Sequence, residues 1–436
     1  MIAFFIAFSS VFVDSGFSFA LIRKKNVSKD EYDTVFWFKL IISILIYLLL
    51  WLFAPLIAGF YDQPILKDLV RVLGLNLIIN AAANIQHINL RRNLQFKELT
   101  IIGISTKIVS GIVSVILAYK GFGVWSLVIQ EMLSNALKAI LLFFFNYYIP
   151  RLKISIVAFK DLFGFSSKLL LAGIIEAISK NIYPLVIGKL YMASDVGYFS
   201  RARSLQQLPV MMFTNIIQQV TLPSFSKIQD QDDKFKLGYK KAIRLSSFVI
   251  LLPLMLLFVT AYPFIEFLIT EKWLPSAPML QIFAVSGIFY PLSALNVNII
   301  GIKGRSDYVL YLQIMKSSVR IVGLIIGSFF GLFGLVLSYP IVSIIAYYLN
   351  AFYANKVINY PIKEQLSDLL PFFTLAVFSG IIVFLVAGAI SPLVIKLTIS
   401  WAAGFFVYYF TAIIIQLDEA KETKTIMLNF IKRKNE

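Results

Sequence analysis

Apolar runs of about 20 residues, cut at intervals by short segments carrying Lys and Arg, repeat along almost the whole chain. That pattern permits little else than a bundle of membrane-crossing helices, because lipid offers backbone N–H and C=O groups no partner outside the segment itself. The runs fall at 1–22, 36–60, 69–90, 99–119, 123–148, 166–188, 196–222, 245–270, 278–301, 308–329, 332–354, 369–388 and 392–416. They predict an all-α polytopic membrane protein of about 13 spans. The predicted organisation is an N-terminal bundle over 1–222, a basic linker over 223–244, a C-terminal bundle over 245–354, further spans over 355–416 and a tail over 417–436.

The chain carries 40 Lys and Arg against 23 Asp and Glu, a formal charge of +17. Alternating the connections between two sides puts about 26 basic residues on one side and about four on the other. The excess therefore reads as a topology signal that sets the basic loops and the C-terminus on the cytoplasmic side of the membrane. Nucleic acid is excluded as a partner, since the basic residues are spread over short separate segments and form no single face. With no cysteine and one histidine, His87, thiolate chemistry and His-based triads or zinc clusters are unavailable. No enzyme activity, metal or cofactor is expected.

About ten basic residues remain inside the predicted spans, against four acidic ones: Asp14, Glu131, Glu176 and Glu266. Lys39 and Arg71 lie near span ends, where a head group can snorkel to water. Glu176 and Lys180 stand one helical turn apart, as either a structural ion pair or part of a wet cavity. Arg201 and Arg203 follow in the next span and point about 200° apart on a helix. Lys316 and Arg320 repeat the four-residue spacing with no acid between them, and two such cations suggest a nearby anion. Lys107 and Lys138 sit well inside their spans. Together Lys107, Lys138, Lys180, Arg201, Arg203, Lys316 and Arg320 make a candidate cationic cavity whose chemistry fits a diphosphate. Asp14, Glu131 and Glu176 are candidates for binding H⁺ or Na⁺ to couple transport, or for neutralising a neighbouring base. Asn76, Asn80, Asn84 and Gln86 in one span, and Gln206, Gln207, Asn215, Gln218 and Gln219 in another, either line a wet interior or hold helices together.

The stretch from Val13 to Phe17 through Ala20-Leu21-Ile22-Arg23-Lys24-Lys25 resembles the WzxC-like polysaccharide exporters of the MOP flippase superfamily. So do Ala54-Pro55-Leu56-Ile57-Ala58-Gly59-Phe60-Tyr61, Arg91-Arg92-Asn93-Leu94-Gln95-Phe96-Lys97, Gly121-Phe122-Gly123-Val124-Trp125 and Val196-Gly197-Tyr198-Phe199-Ser200-Arg201. The resemblance implies a MATE-like fold of two pseudo-symmetric six-helix bundles plus two C-terminal helices. It implies alternating access to undecaprenyl-diphosphate-linked repeat units, with membrane lipid, a polysaccharide polymerase and export machinery as further partners. Members of the family begin with one more helix, so the first span is expected to be missing here. A MATE-type cation-coupled drug exporter shares the fold, but cationic drugs would favour acidic cavity residues. A membrane-embedded glycan polymerase or ligase would carry a long external loop, and every predicted external connection is short.

Overall fold

The computed structural model describes residues 16–60 and 63–421; the side chains of residues 60, 180, 181, 184, 185, 188 and 193 lie outside that description. Sixteen α-helices follow one another, with no strand among the described residues. They are α1 (Phe17–Arg23), α2 (Lys29–Phe60), α3 (Ile65–Ala82), α4 (Asn84–Arg92), α5 (Phe96–Tyr119), α6 (Val124–Phe145), α7 (Ile156–Leu190) and α8 (Ala193–Lys227). After them come α9 (Asp232–Val259), α10 (Ala261–Ile269), a 3-10 turn (Glu271–Ser276), α11 (Ala277–Gly287), α12 (Phe289–Ile302), α13 (Ser306–Ser328), α14 (Gly331–Ile358), α15 (Ile362–Ala389) and α16 (Leu393–Ile414).

Among the described residues, ten stretches are long and apolar enough to cross a membrane, and they overlap ten of the thirteen predicted spans. Of the other three, 1–22 lies mostly outside the described residues. The remaining two, 69–90 and 196–222, are helical but polar, with Arg71 and five Asn or Gln side chains in one and Arg201, Arg203 and five in the other. The first is also broken at Ala83 (φ −94°, ψ 1°), which separates α3 from α4.

Several helices run past their apolar segments. α2 begins at Lys29 rather than in the mid-thirties because Ser28 and Glu31 form a capping box. Glu31 N–H donates to Ser28 Oγ (3.2 Å) and Ser28 N–H to Glu31 Oε2 (2.8 Å). At 32 residues α2 is about 48 Å long, well beyond the hydrocarbon thickness. Residues 223–244, read as a linker, are helical on both sides of 228–231, with Asp232 and Asp233 in the first turn of α9. Charged helix ends of this kind satisfy their backbone in water as well as in lipid, so charge alone does not mark a loop.

The fold divides into two compact units. The first comprises residues up to Ile178 with Leu222–Lys227 and Gly304–Leu310; the second comprises Ser179–Thr221, Ile228–Lys303 and the chain from Tyr311 onward. In the first, α2 packs along α3, α3 along α6, and α6 along α5. Leu50, Ala54, Val70, Leu77 and Ala81 fill the α2–α3 seam. Gly16 (φ 71°) starts α1 where a Cβ would strike Ser166 and Leu169, so only glycine allows that approach. In the second unit α9 packs on α15, α15 on α16, and α11 and α12 on α14. Phe248, Leu252, Phe372, Val383 and Tyr408 form one core there.

The outer surface is apolar. Leu45, Leu48, Leu49 and Leu52 of α2 and Phe384, Leu385, Phe406 and Phe410 of α15 and α16 are all exposed. Only 17% of the most apolar window of α2 is buried inside the protein. Such a surface requires lipid as its solvent, and the chain is a multi-pass membrane protein.

Candidate cationic sites

Where α7, α8, α13 and α14 supply side chains to the second unit, two arginines meet two tyrosines. The Tyr183 and Tyr339 rings lie 4.5 Å apart between centroids. The Arg203 guanidinium carbon stands 5.5 Å from the centre of the Tyr339 ring, a cation–π arrangement. Arg320 lies within electrostatic reach of both phenols. The Tyr183 hydroxyl shares a hydrogen bond of 2.7 Å with Ser338 Oγ, which itself donates to the Leu335 carbonyl. Arg203 and Arg320 are half-buried, and neither has a carboxylate partner among the described residues. Nη1 of Arg320 is buried with no hydrogen-bond partner there. A guanidinium removed from water in this way lacks compensation for its desolvation, and an anion would supply it.

Lys316 lies one turn before Arg320 and is half-buried; its neighbour Ser317 accepts a hydrogen bond from Ser179 (2.7 Å). Arg201 is exposed and stacks over Trp273 at 5.2 Å. The two arginines of α8 thus face different aromatic partners, as their angular separation predicts.

The first unit holds the other candidates. Lys107 is exposed on α5, and its charge acts on half-buried Lys138 of α6. Glu131 is exposed and accepts a hydrogen bond from Asn135 Nδ2 (3.1 Å). Glu176 is half-buried on α7. Asp14 and the Lys180 side chain lie outside the described residues.

Lys39 corrects the sequence reading. It does not snorkel: it is 1% exposed, and Nζ donates to Ser18 Oγ (2.6 Å) and Asn84 Oδ1 (2.9 Å). Snorkelling was inferred from an apolar run taken to begin at 36, but the capping box starts α2 seven residues earlier and carries Lys39 into the packed interior. Arg71, by contrast, lies over the Trp51 ring at 4.1 Å and remains half-exposed. Tyr183, Tyr339 and Trp273 carry no linear signal, since aromatic residues are abundant throughout a lipid-facing chain.

The family model described as Polysaccharide biosynthesis protein matches residues 1–278. Teichuronic acid biosynthesis protein TuaB of Bacillus subtilis is 26% identical over 418 residues, covering 92% of this chain and 85% of the relative. Lipopolysaccharide biosynthesis protein WzxC of Escherichia coli is 24% identical over 373 residues, covering 84% and 76%. Among solved structures, the lipid II flippase MurJ in an inward closed conformation superposes with a TM-score of 0.67 at 17% identity, covering 95% of this chain and 92% of that one. An outward-facing MATE family multidrug transporter of the MOP superfamily superposes at 0.63 and 16% identity, covering 82% and 84%. The fold is therefore the MurJ and MATE fold.

Proposed function

The chain belongs to the Polysaccharide biosynthesis protein family, and from that premise we propose that it is a flippase moving undecaprenyl-diphosphate-linked oligosaccharide repeat units across the bacterial inner membrane by alternating access. The observation that carries this reading is the pair Arg203 and Arg320, half-buried around Tyr183 and Tyr339 without a carboxylate among the described residues. Each guanidinium offers a planar fork of donors suited to phosphate oxygens, and the low-dielectric surroundings strengthen that attraction. Lys316 and Arg201 extend the positive field in the same unit, and Lys107 and Lys138 supply a second cationic pair in the first unit. The basic connections and the C-terminus face the cytoplasm in this reading.

Asp14, Glu131 and Glu176 are the candidates for H⁺ or Na⁺ coupling, with Glu176 half-buried on α7 and Glu131 exposed and accepting from Asn135. A polymerase and export machinery would receive the translocated units. Drug export by the shared fold is disfavoured by the same two arginines, which repel a cationic drug.

The test is rescue of polysaccharide export in a flippase-deficient bacterial strain by the wild-type chain and by Arg203→Gln/Arg320→Gln, with membrane levels compared by immunoblot. Export by the parent and its loss in the variant supports the assignment. Equal export at equal membrane level overturns it.

A further inference from the structure

Tyr183 and Tyr339 are neighbours in the arginine cluster, yet their hydroxyls are engaged differently. That of Tyr183 shares a hydrogen bond of 2.7 Å with Ser338 Oγ and stands 3.5 Å from the Arg320 carbonyl oxygen. That of Tyr339 has no hydrogen-bond partner among the described residues. A tyrosine taken out of water ordinarily finds an acceptor for its O–H. In membrane proteins many tyrosines find it at the interface, in water or among headgroups. Tyr339 is half-buried and stands eight residues, about 12 Å, inside the start of α14.

Packing fixes where this ring sits. The Tyr183 ring lies 4.5 Å from it between centroids, Phe283 lies edge-on at 5.0 Å and Phe199 at 5.8 Å, and all three are buried. α13 is held tightly against the same place. A Cβ on Gly323, one turn after Arg320, would lie 2.7 Å from the Val342 side chain of α14 and 3.6 Å from the Tyr183 hydroxyl. The Tyr339 ring therefore has little freedom left to lose when a ligand binds. The charges of Arg203 and Arg320 both act on its phenol. Neither guanidinium has an acceptor among the described residues: Arg203 lies over the Tyr339 ring at 5.5 Å, and Nη1 of Arg320 is buried without a partner. Three donors from α8, α13 and α14 thus stand together with no acceptor of their own.

We propose that Tyr339 is a further binding residue of this site, its hydroxyl donating to a phosphate oxygen of the diphosphate while its ring carries the Arg203 guanidinium. This role presumes the flippase reading proposed above and adds a named group to its anion recognition. A neutral O–H contributes a donor without the repulsion that a third cation would bring to Arg203 and Arg320. A charged phosphate oxygen in turn makes the bond it accepts roughly twice as strong as a neutral one.

The test uses the full chain purified in neutral detergent and titrated calorimetrically with farnesyl diphosphate, a short prenyl diphosphate, or with farnesol, its uncharged alcohol. The parent is expected to bind the diphosphate at least about ten-fold tighter than the alcohol. Tyr339→Phe, which keeps the ring, should weaken diphosphate binding about ten-fold and leave farnesol binding unchanged; Tyr339→Leu, which loses the ring as well, should weaken it further. Because the hydroxyl makes no hydrogen bond to the described residues, Tyr339→Phe should melt within about 2 °C of the parent. A larger fall in melting temperature would mean that the hydroxyl holds the fold together, and it overturns the proposal. So does diphosphate affinity in Tyr339→Phe within about two-fold of the parent; if Arg203→Gln/Arg320→Gln abolishes binding in the same assay, the diphosphate reading stands without Tyr339. A parent that binds diphosphate no tighter than farnesol overturns both.

Discussion

Lys39 Nζ donates to Asn84 Oδ1 at 2.9 Å, joining α2 to the first residue of α4 across 45 positions of sequence. Ser18 Oγ of α1 joins the same contact, accepting from Lys39 at 2.6 Å and donating to Asn84 Oδ1 at 3.2 Å. Three helices of the first unit are therefore tied by one buried cation and two neutral side chains.

The two ends of that contact are not equivalent. Asn84→Leu leaves a buried ammonium short of an acceptor, whereas Lys39→Met removes the charge and leaves two polar groups short of a donor. Lys39→Met is expected to cost about 1–3 kcal/mol, and Asn84→Leu more. Thermal unfolding of both variants in the same detergent checks the order; a larger loss in Lys39→Met would contradict it.

In the second unit, Arg320→Lys keeps a positive charge but loses the planar fork. Hydrogen bonds to charged groups contribute about 1.5–3 kcal/mol, so Arg320→Gln is expected to lower export about ten-fold or more, with Arg320→Lys between it and the parent. Initial rates of lipid-linked substrate translocation in proteoliposomes, at matched reconstitution, distinguish the three.

Tyr360, fully buried in the short connection between α14 and α15, donates to Asp368 Oδ2 at 2.6 Å. Burial first, and then this bond to a carboxylate, push its phenol well above the ordinary range. The folded state therefore favours the protonated form. Its contribution is fully present below the unfolded value of about 10 and is lost as pH rises from there through the folded value. Tyr360→Phe should be less stable than the parent by about 1–3 kcal/mol near neutral pH, and the gap should narrow above about pH 10. Parallel denaturation series across that range measure it, and a constant gap would refute the linkage.

Gly327 and Gly334 close the α13–α14 hairpin so tightly that a Cβ on Gly334 would lie 2.5 Å from the Gly327 carbonyl oxygen. Backbone cannot yield as a flexible side chain can. Gly334→Val is expected to cost about 1–3 kcal/mol or more through forced separation of the helices. Lowered melting temperature in the variant, unaffected by Gly388→Ala at a position with open space around it, is the checking result.

Run length and polarity are local properties, and they were enough to place ten spans and the all-α membrane class, while the family resemblance was carried by short residue motifs. An apolar run of 20 residues in lipid has no other way to satisfy its backbone. Helix ends were less legible: the Ser28 and Glu31 capping box was present in the sequence, yet the charges around it suggested a loop. The site divides similarly. That Arg203 and Arg320 lie within helices followed from their positions in the runs, and the separation of Arg203 from Arg201 followed in part from helical angle. That Tyr183 and Tyr339 surround them did not, because the Tyr183 and Ser338 pair closes across 155 residues. The fate of Lys39 was decided by Ser18 and Asn84 on other helices. Sequence determined which segments enter the membrane, since that depends on each segment's own transfer free energy. Tertiary structure alone decided which charges are paired, buried or gathered, since that depends on partners that folding brings together.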